Sequence, residues 1–152
     1  MWTIYIETVL RFKSKSGRKG ELCVVKLEPT AQAGEGRSAI PAAMEAFQGL
    51  AELWQLSTED QLLLLGSPGR STFFKWKKDG GSLPRDTVER VSHLLAIHKA
   101  LEILLPDTRA ADGWIRRPNA QFNGQSALDV MRGGQVMDIY RVRQYVDAQR
   151  GG

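Results

Sequence analysis

The spacing of apolar residues changes character near residue 40. At the start of the chain Trp2, Ile4 and Ile6 alternate with Thr3, Tyr5 and Glu7, the period of two that a strand requires. A basic, glycine-containing stretch, "KSKSGRKG", separates them from "ELCVVKLEP", which reads as a second short strand. "TAQAGEGRSAIP" then has the composition of a linker. A lone hairpin is marginal in water, so residues 1–40 are expected to form an N-terminal extension, either a β-hairpin or a disordered, loosely docked segment. Met44, placed just ahead of the first convincing helix, is a candidate for a later natural start.

From Pro41 onward the apolar spacing is three and four. Met44, Phe47, Leu50 or Ala51, and Trp54 line one face of a first helix. "STEDQLLLLG" is a second, with Ser57 or Thr58 as N-cap, Glu59 and Asp60 in its first turn, and Gly66 as a stop. "SPGRSTFFKWKKDGG" predicts a tight turn and a short helix ending at Gly80-Gly81. A longer helix over 84–105 follows, roughly 33 Å in length, with Pro84 at its first turn and Pro106 past its end. Its apolar residues Val88, Val91, Leu94, Leu95, Ile97, Leu101, Leu104 and Leu105 cover more than a narrow stripe, so we expect it to pack on both neighbours and to offer a surface to a second chain. Asp107 caps a short helix, Ser126 and Asp129 open another, and "QVMDIYRVRQYVDAQR" is the last. The fold class expected is therefore mainly α.

Composition narrows the function. Apolar residues make up 42% and charged residues 25% of the 152, enough for a core and a solvated surface. No apolar run approaches membrane-spanning length. The start lacks a basic n-region and is broken by Glu7, so it does not read as a signal peptide. One cysteine, Cys23, excludes an internal disulfide, and His93 and His98 are the only histidines. Five residues apart on one helix, they do not share a face for a metal, so no metal or cofactor is expected, and a reducing cytoplasm fits. No nucleophile–base constellation is recognisable, and "GSPGRS" lacks the Lys-Ser/Thr ending of a phosphate loop. We expect a binding protein rather than an enzyme.

The net charge of +4 is modest, and its placement says more. Arg70, Lys75, Lys77 and Lys78 crowd one short helix that contains no acid, on an otherwise near-neutral middle third. Residues 57–78 are thus helix, tight turn, basic helix, the layout of a helix-turn-helix DNA reader. Ser71 and Thr72 can bond phosphate or base edges, and Arg70, Lys75, Lys77 and Lys78 can reach phosphates or guanine. Phe73 and Trp76 should pack inward. The turn is one residue longer than the common spacing, and an ordinary helical hairpin with a solvated basic face is the alternative. The span "WIRRPNAQFNGQSALDVM", residues 114–131, is too polar for a core strand and too aromatic for a linker. Trp114 and Phe122 either pin it to the core or present it to a partner.

"LPD…GWIRRPNAQFNGQSALDVM", followed by "RVRQYVDAQRGG", closely resembles the C-terminal toxin-binding domain of the Xre/MbcA/ParS antitoxins. That family typically shows Phe/Leu-Pro-Asp, Trp-Leu-x-x-Pro-Asn, an aromatic, and Gly-x-Ser-Pro-Leu-Asp before a closing amphipathic helix. Trp114, Pro118, Asn119, Phe122, Gly124, Ser126, Leu128 and Asp129 match in order. Ala127 stands where proline is common. Residues 44–105 resemble the Xre-like helix-turn-helix half, less specifically, and residues 1–40 lie outside the likeness.

The resemblance implies three segments: an extension over 1–40, a helix-turn-helix domain over 41–105, and a toxin-binding domain over 106–152. It implies an antitoxin that blocks a RES-domain, NAD-consuming toxin and represses its own operon; the helix-turn-helix layout and the apolar breadth of helix 84–105 add the expectation of a homodimer on operator DNA. The residues expected at the toxin are Trp114, Arg116, Arg117, Pro118, Asn119, Gln121, Phe122, Arg143 and Arg150. Among these, Trp114 is expected to anchor the loop and Asn119 to fix the turn. Exposed Arg116, Arg117, Gln121 and Arg143 are expected to touch the partner, and Arg150 to extend from a flexible glycine-ended tail. The competing expectation is a free-standing transcription regulator whose C-terminal domain only dimerises.

Overall fold

The computed structural model describes Glu7–Val9, Val24–Lys26 and residues 40–151. Strands β1 (Glu7–Val9) and β2 (Val24–Lys26) pair antiparallel with Thr8 opposite Val25, as a hairpin requires. The alternating Trp2, Ile4 and Ile6, the basic loop, Cys23 and the linker lie outside the described residues.

Seven helices follow among the described residues: α1 (Ala42–Leu53), α2 (Thr58–Leu64), α3 (Arg70–Lys78), α4 (Arg85–Leu104), α5 (Thr108–Trp114), α6 (Ala127–Met131) and α7 (Val136–Gly151). The mainly α class holds, with a helix-turn-helix half and a small helical C-terminal half. Pro41 occupies the N-cap position of α1. Met44 lies inside α1 and is fully buried, not ahead of the helix as the pattern suggested.

The central element is α4. It packs against α7 most extensively, and against α1 and α5. Val91, Leu94, Leu95, Ile97, Ala100 and Leu101 are buried on it, joined by Thr87, Arg90 and His98. Much of the broad apolar face that suggested a surface for a second chain is covered within the chain, while Val88, Leu104 and Leu105 are only partly buried. Ile103, 57% exposed, is the large apolar residue of α4 that remains outside. The core runs without a break from Met44, Phe47 and Trp54 on α1, through Phe73 on α3 and Leu94 and Leu101 on α4, to Ile139, Val142 and Val146 on α7.

Polar links repeat this continuity. The buried Arg90 donates from Nε to Asp86 Oδ2 (2.7 Å) and from Nη1 to the Gly134 carbonyl (2.9 Å), tying α4 to the α6–α7 turn. Arg132, after α6, pairs through Nε with the buried Asp60 of α2 at 3.0 Å. Buried charges are costly unless paired, and the buried Arg90 and Asp60 each have a partner.

Candidate functional site

Two surfaces carry chemistry, and the first is built by α2 and α3. Ser57 opens α2 with a capping box: its Oγ accepts from the Asp60 amide (3.1 Å), and its own amide donates to Asp60 Oδ2 (3.1 Å). Two N-terminal donors are satisfied reciprocally. The helix stops at Gly66, whose φ of +91° suits glycine. A Cβ there would sit 3.1 Å from Arg90 Nε and 3.2 Å from Asp86 Oδ2, so the turn is pressed against the Arg90–Asp86 pair.

Phe73 and Trp76 are buried and orient α3. Ser71, Thr72, Phe74, Lys75 and Lys78 are exposed. Gly69 supplies no side-chain cap and the first turn of α3 holds no acid, so its N-terminal N–H groups are open to an anion. Arg70 is exposed and ion-paired with Glu59. Lys77 is half-buried and folds back over the Phe73 ring, 5.3 Å from its centroid. Of the six residues expected at DNA, five therefore reach the surface freely or through a solvated pair, and Lys77 lies along its own helix. Phe74, half exposed on this face, was missed. The signal was present: if Phe73 and Trp76 point inward, helix geometry turns Phe74 out.

The second surface is the loop between α5 and α6. Asn119 Oδ1 accepts from the Gln121 amide (2.9 Å), its amide donates to the Gln125 carbonyl (3.0 Å), and its carbonyl accepts from Gly124 (3.0 Å). These bonds fold Ala120–Phe122 into a 3-10 turn. Asn123 and Gly124 then take left-handed backbone angles, +56° and +81°, which Asn and Gly tolerate best. A second capping box, Ser126 with Asp129, starts α6. The Ser126 hydroxyl and amide both donate to Asp129, whose carboxyl is held below its ordinary pKa by these bonds. The Leu128 amide bonds the Ile115 carbonyl at 2.8 Å and closes the loop's base.

Aromatic rings pin this loop to α7. Tyr145 stacks on Trp114 (6.2 Å between centroids, 16°) and meets Phe122 edge-on (5.2 Å, 69°). Phe122 is buried and Trp114 half-buried. Both are bracing residues in the isolated chain. Arg117, Pro118 and Gln121 stand exposed, and Asn119 is half-buried.

Two residues expected to be free for a partner are engaged within the chain. Arg116 donates from Nη2 to the Trp54 and Gln55 carbonyls, each at 2.8 Å, at the C-terminal end of α1. Arg143 lies half-buried, its Nη1 2.8 Å from His93 Nδ1 and its Nε 3.4 Å from Asp147. His93 is held below its ordinary pKa, by burial first and then by the Arg143 charge, against a smaller opposing pull from Glu89. Arg150 is exposed, 3.8 Å from Asp147. The segment expected as a flexible tail is helical through Gly151.

His93 faces Tyr140 and Arg143 on α7, whereas His98 meets Trp54 edge-on and stands 3.9 Å from Asp112. Burial raises the Asp112 pKa, partly offset by His98. Among the described residues no three His, Cys, Asp or Glu side chains are grouped to hold a metal. None of the described helices is long and apolar enough to cross a membrane. Beside Trp114 and Tyr145, an open apolar groove of about 230 Å³ runs along Leu101, Leu104, Leu105 and Val146 to Gln149.

Residues 32–96 match the family model of the antitoxin Xre-like helix-turn-helix domain. Residues 100–152 match the antitoxin Xre/MbcA/ParS C-terminal toxin-binding domain. The first match reaches back into the stretch read as a linker, further than the likeness traced from residue 44. The chain is also 66% identical over 113 residues to "Uncharacterized protein y4oB" of Sinorhizobium fredii (strain NBRC 101917 / NGR234), an alignment covering 74% of this chain and 88% of that protein.

Proposed function

Because the chain belongs to the Xre/MbcA/ParS antitoxins, with a DNA-binding half and a toxin-binding half, we propose that it neutralises a RES-domain, NAD-consuming toxin and represses its own operon. It acts by binding, in the cytoplasm, and carries no cofactor. The observation that supports this best is the contrast within residues 114–131. Trp114, Phe122, Asn119 and Ser126 hold the loop rigid from behind, while Arg117, Pro118 and Gln121 are left outside it. A loop so anchored to the core, with Arg117, Pro118 and Gln121 left outside, is suited to meet a partner with little ordering cost.

The toxin contact is assigned to Arg117, Pro118 and Gln121, flanked by Arg150 and the exposed end of α7, with Trp114 and Phe122 as supports. Arg116 and Arg143 reach a partner only by exchanging the bonds they already make. Operator binding is assigned to α3 through Arg70, Ser71, Thr72, Lys75 and Lys78. A homodimer would present α3 to paired half-sites. Co-expression with a RES-domain product of an adjacent gene should yield a complex that copurifies and relieves toxicity. Arg117→Ala with Gln121→Ala should lose that rescue while still melting like the parent. Rescue unchanged in the double variant would place the toxin contact elsewhere. Copurification failing while operator binding persists would favour a regulator whose C-terminal half serves only self-association.

A further inference from the structure

Five large apolar side chains are exposed among the described residues, and Phe74 is the one placed on the cationic helix. Successive residues turn by about 100° around a helix. Phe73 and Trp76, both buried, fix the inward direction of α3. Ser71 and Lys78 then point outward, and Phe74 and Lys75 each lie about 50° from the outward direction, on opposite sides of it. Its ring is half exposed, with its inner edge against Phe73 at 5.3 Å and 64°. The side chain is thus held in place while its outer surface is bare.

A phenyl ring among lysines serves phosphate poorly, since it offers no hydrogen-bond donor and no charge. In the major groove it has a specific complement. Thymine alone among the bases carries a C5-methyl group there, and apolar side chains read it by contact. The surroundings select the occupant: Lys78 lies one turn on from Phe74, Arg70 lies one turn before it in its pair with Glu59, and α3 carries no acid from Arg70 to Lys78. This surface favours a polyanion over a second apolar face. We propose that Phe74 is a sequence-reading residue that packs against a thymine C5-methyl group when α3 lies in the major groove. The proposal rests on the reading of α2 and α3 as a DNA-binding unit.

The test uses the full chain with Phe74→Ala and Phe74→Leu, each first checked for an unchanged melting temperature. Wild type selects duplexes from a random pool. Each thymine of the selected duplex is then replaced singly by deoxyuridine, which removes only the methyl group. Wild type should lose about fourfold in affinity at one or two thymines, the weight of one buried methyl group. Phe74→Ala should bind the unmodified site at least tenfold more weakly, keep its affinity for mixed-sequence DNA, and become indifferent to deoxyuridine at those thymines. Phe74→Leu should retain part of the response.

Equal responses of wild type and Phe74→Ala to every deoxyuridine overturn the proposal. So does an equal loss on mixed-sequence DNA, or a shift from dimer to monomer on light scattering, which assigns Phe74 to contact between copies. Those outcomes leave wild-type DNA binding intact and sink the Phe74 role alone. A wild type that selects no motif and binds no duplex overturns the DNA reading of α3 and the Phe74 role together.

Discussion

Arg116→Ala removes two hydrogen bonds that join segments 61 and 62 residues apart. The Trp54 and Gln55 carbonyls close the C-terminal end of α1, where helical carbonyls lack intrahelical partners and carry the negative end of the helix dipole. A guanidinium there bonds the C-cap carbonyl of Trp54 and the next one, of Gln55, with charge-assisted bonds. Such bonds contribute about 1.5–3 kcal/mol each when water is excluded. Trp54 is buried but Gln55 is exposed, so water replaces much of the second bond. The net expectation is a loss of about 1–2.5 kcal/mol. For a body of this size that lowers the melting temperature by roughly 4–10 °C. Arg116→Lys should fall between, since an ammonium lacks the planar fork. Arg117→Ala should change stability by less than about 0.5 kcal/mol, as an exposed residue outside the bonded network. Urea unfolding followed by tryptophan fluorescence measures this, with the midpoint falling and the slope unchanged. If Arg116→Ala and Arg117→Ala unfold together with wild type, the two bonds contribute nothing and Arg116 is as free as its neighbour.

Three further outcomes are expected. Ser126→Ala should destabilise by about 1 kcal/mol through loss of the α6 cap, measured by the same unfolding curve, with Asp129 returning toward its ordinary carboxyl pKa. His93 has a folded pKa below its unfolded value, so the unfolded chain binds the proton first. Its contribution to stability is therefore complete above the ordinary histidine pKa and declines as pH falls below it. His93→Gln should flatten that part of the stability–pH profile, and an unchanged slope would show that other groups set it. Lys75→Ala with Lys78→Ala should reduce the salt dependence of duplex binding by about two in slope, read from affinities across a salt series.

Much of the helical layout was legible because local chemistry set it. Ser57 and Ser126 with acids three residues on, Asp107 before α5, and Phe73 with Trp76 on α3 each specify their own neighbourhood, and each does in the structure what its spacing implies. What escaped was long-range. The apolar breadth of α4 reads the same whether α7 or another chain covers it, and the tertiary fold shows α7 taking much of it. Arg116 and Arg117 are indistinguishable in sequence, yet one reaches across to α1. The glycines ending the chain suggested a loose tail, but a helix already anchored by Val142 and Val146 continues through Gly151.

The shared core changes how the two activities are best separated. Removing residues 107–152 takes away α5, α6 and α7, and with them the cover over Leu94, Leu101 and their neighbours on α4. It also leaves Asp60 without Arg132, Arg90 without the Gly134 carbonyl, and the end of α1 without Arg116. Exposing a buried leucine or isoleucine costs about 1.5–3 kcal/mol, and several are exposed at once, against a total stability of about 5–15 kcal/mol for a domain. A chain ending at Pro106 is therefore expected to lose cooperative unfolding, and its DNA binding should fall with its fold. Circular dichroism on heating is the check. A sharp transition in the truncated chain would show that α1–α4 stands alone and that the continuous core is not needed to hold it. Without such a transition, the DNA-binding and toxin-binding surfaces can be assigned only by substitutions confined to each, Lys75 with Lys78 on one side and Arg117 with Gln121 on the other.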